Sequence, residues 1–156
     1  MAYTLEAFIG SAEALHVAAT RWPAAAVVPL ADGLALVPMT DDLVNTHTDG
    51  ATEQVLGFWR LPGGFEKELA SWSSTGSVGY VEAEYFGGTG TQRAALWVEG
   101  ELALGPLWQG EDETVGPQGS PISQLLARLG VKRDGYRDEF DAIGLGRHRA
   151  TADWLP

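Results

Sequence analysis

The sequence from Tyr80 to Val98 reads YVEAEYFGGTGTQRAALWV and decides how the surrounding chain folds. Two strand-like runs flank a turn that contains Gly87, Gly88 and Gly90. Because glycine adopts positive φ at little steric cost, such a turn can join two closely spaced antiparallel strands. A second glycine turn and another apolar run follow directly. The stretch therefore predicts an antiparallel meander over about residues 77–105, set within a larger sheet.

Alternation along these strands gives the predicted hairpin two different faces. With the turn centred just before Thr89, the expected cross-strand pairs are Glu84 with Arg93, Glu82 with Ala95 and Tyr80 with Trp97. One face is apolar and predicts core: Val81, Ala83, Tyr85, Ala94, Leu96 and Val98. The other face mixes aromatic rings with charges: Tyr80, Glu82, Glu84, Phe86, Arg93 and Trp97. A slip of one residue would exchange the two faces, so the pairing is a hypothesis.

The mixed face allows three interpretations. Side chains two residues apart on a strand lie roughly 7 Å apart, which suits an acid/base pair formed by Glu82 and Glu84. Aromatic anchors beside charges are also typical of protein-binding surfaces. A plain cross-strand pair between Glu84 and Arg93 on an exposed face is the structural alternative.

The charge of the chain favours a basic partner over a nucleic acid. The 156 residues carry a net charge of −11, and the acidic groups include a loop segment, Glu111-Asp112-Glu113. Residues 1–127 hold 4 basic and 16 acidic side chains, whereas residues 128–156 hold 6 basic and 5 acidic ones. Such an acidic body repels phosphate backbones and attracts basic protein surfaces, although acidity also serves solubility.

Several function classes find no support in the sequence. There is no cysteine, so thiolate and disulfide chemistry is excluded. The glycines of the hairpin lack the spacing and the following helix of a nucleotide-binding loop, and no nucleophile elbow occurs. His47 near Asp41 and Asp42 meets no metal-ligand spacing, so we expect neither a metal nor a cofactor. The N-terminus lacks a signal-peptide pattern and no run matches a membrane span, which predicts a cytoplasmic protein.

Helical patterns flank the meander on both sides in sequence. Ser11 and Ser120 are placed to cap two helices, and an apolar i, i+4, i+7 stripe at Phe65, Leu69 and Trp72 indicates another. An Asp-Gly pair at Asp32-Gly33 predicts a further hairpin. We therefore expect a single α+β domain over residues 1–156, with the meander packed against three to four helices.

The C-terminal region carries a basic cluster, Arg147-His148-Arg149, after a Gly-Leu-Gly turn. Three cationic or near-cationic groups in a row can hold an anion. The structural alternative is that these groups pair with the acidic body and hold an irregular C-terminal segment in place.

Four sequence stretches carry a resemblance that spans most of the chain: Tyr80–Gln92, Gly119–Ile122, Asp138–Asp141 and Gly144–Arg149. With them the chain resembles small acidic proteins found in actinobacteria, which implies one domain in a bacterial cytoplasm and supplies no catalytic residues. In size, acidity and mixed α+β content it is also similar to immunity proteins that neutralise polymorphic toxins.

These likenesses favour a non-enzymatic binding domain of the immunity or inhibitor type. Its binding residues would be the mixed hairpin face together with Glu111, Asp112 and Glu113, and its partner a basic toxin or effector. The alternative is a small enzyme, or a small-molecule or anion binder, that uses Glu82, Glu84 and the basic cluster. The sequence predicts neither a nucleic acid nor a membrane partner, and leaves the oligomeric state open.

Overall fold

A computed structural model describes residues 2–47, 58, 61, 65–86, 89–111, 117 and 119–155. Within them, six strands form one antiparallel sheet with the order β2-β3-β1-β4-β5-β6. The strands are β1 (Ala2–Ser11), β2 (Val28–Pro29), β3 (Leu34–Pro38), β4 (Val78–Phe86), β5 (Thr89–Val98) and β6 (Glu101–Gln109). The predicted meander is β4-β5-β6, and the first strand of the chain lies at the centre of the sheet.

Helices cover both faces of this sheet, which confirms the α+β prediction. They are α1 (Ala12–Arg21), α2 (Asp41–His47), α3 (Phe65–Trp72), α4 (Pro121–Arg128) and α5 (Glu139–Ile143), with 3-10 turns at Leu145–Arg147 and Thr151–Trp154. The first three helices pack on one face and the later elements on the other. None of the described helices is long and apolar enough to cross a membrane.

The face that packs against α1, α2 and α3, here called face A, has an aromatic core. The Phe8 ring lies 5.0 Å from Trp72, 5.4 Å from Phe65 and 5.0 Å from Tyr80, measured between ring centroids. Trp22 joins this cluster through Phe65 at 4.9 Å. These rings are buried, and with Leu69 they confirm that the apolar stripe predicted at Phe65, Leu69 and Trp72 is core.

The opposite face, face B, packs against α4 and the C-terminal segment. Its strand residues are the apolar set that the alternation predicts, joined by Ile122, Leu125 and Leu126 of α4. The buried Gln92 side chain accepts a hydrogen bond from the Ile122 N–H at 3.0 Å, which fixes the start of α4 against β5. Further along the chain, Ile143, Leu145 and Trp154 are buried against this face.

Local signals place the first and fourth helices where the sequence predicts them. The Ser11 hydroxyl accepts from the Ala14 N–H at 3.4 Å, and the Ser120 hydroxyl accepts from the Ser123 N–H at 3.3 Å. Side-chain oxygens of this kind satisfy N–H groups that the first helical turn leaves without a partner. Asp32 and Gly33 both have positive φ in the turn between β2 and β3, as an Asp-Gly hairpin requires.

The predicted register of the β4–β5 hairpin is wrong by two residues. Glu82, not Glu84, lies opposite Arg93, while Tyr80 lies opposite Ala95 and Glu84 opposite Thr91. The strand pairing is centred one position earlier than predicted, so that Phe86 pairs with Thr89. Because the shift is an even number of residues, every side chain keeps its predicted face.

The C-terminal segment is not irregular, contrary to what the sequence suggests, since it contains α5 and two 3-10 turns. The polar composition of residues 45–54 predicts a loop, but residues 45–47 belong to α2. The run over residues 57–61 predicts a brief strand, of which the structure describes only Phe58 and Leu61. Asp112 and Glu113 of the acidic loop also lie outside the described residues.

Candidate functional site

The candidate site is on face A of the β4–β5 hairpin, where the predicted binding residues divide into two groups. Tyr80, Glu82 and Trp97 are buried within the chain, with exposed fractions of 0%, 0% and 2%. Glu84 is exposed, and Phe86 is exposed to 76%. Arg93 lies between the two groups, with a half-buried side chain. Among these predicted residues, the exposed ones therefore lie at the outer end of the hairpin.

Within the buried group, Glu82 belongs to a row of polar side chains that crosses the sheet, here called the polar row. Glu82 lies opposite Glu6 of β1 on one side and opposite Arg93 of β5 on the other. The Tyr80 hydroxyl donates a hydrogen bond to the Glu82 carboxylate at 2.9 Å. A buried carboxylate is costly unless hydrogen bonds or charges compensate it. The Tyr80 hydroxyl supplies one such hydrogen bond, and the cationic Arg93 lies opposite in register, whereas Glu6 is a like charge on the other side. Glu82 is therefore enclosed in the sheet and does not meet solvent beside Glu84.

Five side chains surround a depression at the outer end of the hairpin, which we call the tip depression: Glu84, Phe86, Thr89, Thr91 and Glu111. It is a partly open hollow of about 160 Å³. Glu84 lies opposite Thr91 and Phe86 opposite Thr89, so four of its walls are two neighbouring cross-strand pairs on one face. Glu111, two residues after the end of β6, contributes the fifth side chain.

Gly90 brings β5 very close to β4 at this place. It lies opposite Tyr85, and a Cβ atom here would collide with the Glu84 carbonyl oxygen. Any side chain at this position would push the strands apart. The glycine thus keeps the walls of the tip depression together.

Trp108 extends the exposed aromatic surface beyond the tip depression. It lies on β6, opposite Arg93, and is exposed to 55%. Arg93 follows the tip-depression residue Thr91 by one side-chain position on the same strand face, so Trp108 is next to the tip depression. Trp108 is not among the binding residues predicted from the sequence, although a tryptophan in a strand after Pro106 at the end of a meander is a signal for an aromatic on an edge strand.

The opposite side of the same hairpin end is covered. Tyr3 of β1 lies opposite Tyr85, its ring is 5.6 Å from that of Phe140, and its hydroxyl donates to the Leu145 carbonyl oxygen at 2.9 Å. Burial raises the pKa of Tyr3 well above its usual range, and the neighbouring Tyr85 phenol acts in the same direction. Burial also raises the pKa of Tyr85, partly offset by a hydrogen bond with Gln92.

The basic cluster near the C-terminus lies far along the chain from the hairpin and has structural contacts of its own. The Arg147 guanidinium lies 5.3 Å from the centre of the Trp154 ring and donates to the Gly144 carbonyl oxygen at 3.1 Å. The His148 ring packs edge-on against Trp154 at 4.7 Å. The Arg149 carbonyl oxygen accepts from the Thr4 N–H at 2.8 Å, and the Thr151 hydroxyl oxygen accepts from the Glu6 N–H at 3.0 Å. These contacts attach the C-terminal segment to β1.

A second, wider depression of about 320 Å³ lies between β1, α2 and the C-terminal segment. Its lining includes the carboxylates of Glu6, Asp41 and Asp42 and the Thr151 hydroxyl. Among the residues that the structure describes, no group of three or more potential ligands is arranged to hold a metal ion. The backbone of His47 lies in α2, after both aspartates.

Comparison with models of known protein families, with curated proteins and with solved structures gives no significant match. The candidate function therefore rests on the exposed surface around the tip depression. Its distinguishing features are two exposed aromatic rings, two exposed carboxylates and a small hollow between them.

Proposed function

We propose that the protein is a non-enzymatic binding domain of the immunity or inhibitor type, active in the cytoplasm, whose tip depression and Trp108 contact a basic protein. The observation that carries this proposal is the exposure of Phe86 to 76% between Glu84 and Glu111. Leaving a phenylalanine in water gains nothing for folding, whereas aromatic side chains are enriched in protein interfaces. The partner would be a toxin or effector whose active surface the domain covers.

Charge supports a basic partner. The chain carries −11 overall, and the tip depression adds two exposed carboxylates around the aromatic ring. Complementary potentials steer encounter and select partners, and they act most strongly at low ionic strength. A second acidic copy of this chain would meet the opposite effect. Heterologous binding to a basic surface is therefore favoured over self-association.

The position of the surface in the sheet supports the same function. β6 is one of the two edge strands, and it places Trp108 beside the tip depression without a further strand of the sheet to cover it. Two aromatic anchors with a polar surround match the arrangement of interface hot spots. The rigid sheet beneath them holds the anchors in place, so a partner would meet a preformed surface.

The test is capture from a lysate of the source organism, followed by binding measurements with the purified partner. Wild-type protein should recover a basic protein, and a gene for a secreted toxin beside the gene for this chain would identify the immunity case. Glu84→Lys and Phe86→Ala should each weaken binding of the purified partner at least about tenfold, as expected at a hot spot.

Matched controls come from exposed residues elsewhere. Glu101→Lys makes the same charge change at the other end of β6, and Val17→Ala truncates an exposed apolar side chain on α1. Both should bind the partner as the wild type does. Failure to recover any basic partner, or equal binding by Glu84→Lys and wild type, would refute the proposal.

A further inference from the structure

The tip depression combines three kinds of contact in one small space. The Phe86 ring offers an exposed aromatic surface, Glu84 and Glu111 offer carboxylates, and two threonine hydroxyls complete the lining. Aromatic faces attract cations, and carboxylates pair with them. The chemistry of the lining therefore selects a positively charged group.

The tip depression is small for a free small molecule and has the size for a single side chain. Its volume of about 160 Å³ lies below the ~300–1,000 Å³ that is typical of small-molecule sites. A single planar cationic group with its aliphatic stem is the largest occupant that suits it. The stem would lie against the walls while the charged end reaches the carboxylates.

Guanidinium fits this lining better than ammonium does. Its planar fork donates in several directions at once and stacks on aromatic rings, whereas an ammonium group is compact and strongly hydrated. The two carboxylates are carried by different elements, β4 and the segment after β6, so a donor that points in two directions meets both. We propose that the tip depression is a receptor for one arginine side chain of the partner, stacked on Phe86 and paired with Glu84 and Glu111.

A direct test titrates ¹⁵N-labelled protein with N-acetyl-arginine amide and follows backbone amide signals. We expect saturable shifts at Thr89 and Thr91, with a dissociation constant on the order of millimolar, since exposed cation–π and ion-pair contacts are individually weak. N-acetyl-citrulline amide has the same shape without the charge and should give no saturable shift there. N-acetyl-lysine amide should bind about threefold or more weakly than the arginine probe.

Variants assign the contacts. Phe86→Leu keeps an apolar wall but removes the ring, and Glu84→Gln removes a charge at constant shape; each should weaken the arginine probe about threefold or more. Glu101→Gln should leave the affinity unchanged. The dispersion of the remaining amide signals reports whether each variant is folded. Absence of saturable shifts in the wild type, equal binding of citrulline, or equal binding of lysine would overturn the arginine assignment.

This inference deepens the proposed function and rests on it for the partner, yet the two fail separately. If the arginine probe does not bind but a basic partner still depends on Glu84 and Phe86, only the arginine assignment falls. If the probe binds at Thr89 and Thr91 but no basic partner is recovered, the proposed function falls and the cation receptor stands.

Discussion

The two ends of the β4–β5 hairpin share a sequence pattern and a sheet face, but they have opposite environments. At the inner end, the Tyr80 ring contacts Phe8 at 5.0 Å and Phe58 at 4.9 Å, and Glu82 is fully buried. At the outer end, Glu84 and Phe86 repeat the same alternation of carboxylate and aromatic ring in contact with solvent. One residue pattern therefore serves the core at one end and a surface at the other.

The role of each residue therefore depends on how far the layer that covers face A extends over the hairpin. The strand sequence alone does not decide it. A carboxylate under that layer needs hydrogen bonds or opposite charges to be tolerated, and Glu82 accepts a hydrogen bond from Tyr80 and lies opposite Arg93. Two residues later the same residue type is hydrated and remains available to bind.

The largest expected effect is on the inner aromatic anchor of β5. Trp97→Ala removes a tryptophan that is 2% exposed and should lower the free energy of unfolding by about 3–5 kcal/mol. Trp108→Ala changes the same residue type on the next strand and the same face, but at 55% exposure. Urea unfolding of both variants should show a loss for Trp108→Ala of less than half that for Trp97→Ala. Equal losses would mean that the two ends are covered alike.

A smaller loss is expected from the hydrogen bond inside the polar row. Tyr80→Phe removes the hydroxyl that donates to Glu82 at 2.9 Å and leaves the buried carboxylate short of one donor, which should cost about 1–3 kcal/mol. Tyr136→Phe is the control, because Tyr136 is exposed to 58% and its loss should stay within about 0.5 kcal/mol. If Tyr80→Phe and Tyr136→Phe lose the same free energy of unfolding in chemical denaturation, the hydrogen bond to Glu82 does not stabilise the fold.

The sequence predicts which hairpin side chains share a face of the sheet. It does not predict the register of the two strands or how far the helices extend over them, and both gaps have physical causes. Alternation assigned Glu82 and Glu84 to one face correctly, since face depends only on parity along the strand. The register failed because three glycines in four positions allow the chain to reverse at more than one point. The helical stripe at Phe65 and Trp72 predicts a buried helix face, but nothing in it says how far that helix extends over the sheet.

The same limit explains the residues that were missed or misjudged. Glu6 lies opposite Glu82 because β1 enters the sheet beside β4, about 75 positions away in sequence, and local patterns carry no information on such pairing. The basic cluster was expected to hold the C-terminal segment through ion pairs with the acidic body. Its Arg147 and His148 instead pack on Trp154, a contact that only the fold brings about.

The stability of the fold should depend on pH through Tyr3 and Tyr85, which lie on the covered face of the hairpin end. Because the pKa of Tyr3 is raised above its unfolded value of about 10, the folded state holds the proton longer, and stability should fall as pH rises beyond about 10. Tyr85 acts in the same direction. Tyr3→Phe should flatten this fall in thermal unfolding measured between neutral and alkaline pH. If Tyr136→Phe flattens it equally, covering of the tip on face B is not its cause.

The smallest expected effect on stability is at the exposed ring. Phe86→Ala should change the free energy of unfolding by no more than about 0.5 kcal/mol, since substitutions at exposed positions rarely do more. Denaturant unfolding beside wild type measures this directly. A loss comparable to that of Tyr80→Phe would show that Phe86 supports the fold, and its exposure would then say little about binding.

Calorimetry tests most directly whether the hairpin tip is the binding surface. It measures the affinity of the purified basic partner for wild type, Phe86→Ala and Val17→Ala. We expect Phe86→Ala to bind at least about tenfold more weakly while its unfolding transition stays at the wild-type position, and Val17→Ala to match wild type in both. A partner that binds Phe86→Ala as tightly as wild type would contradict the assignment of the hairpin tip as the binding surface.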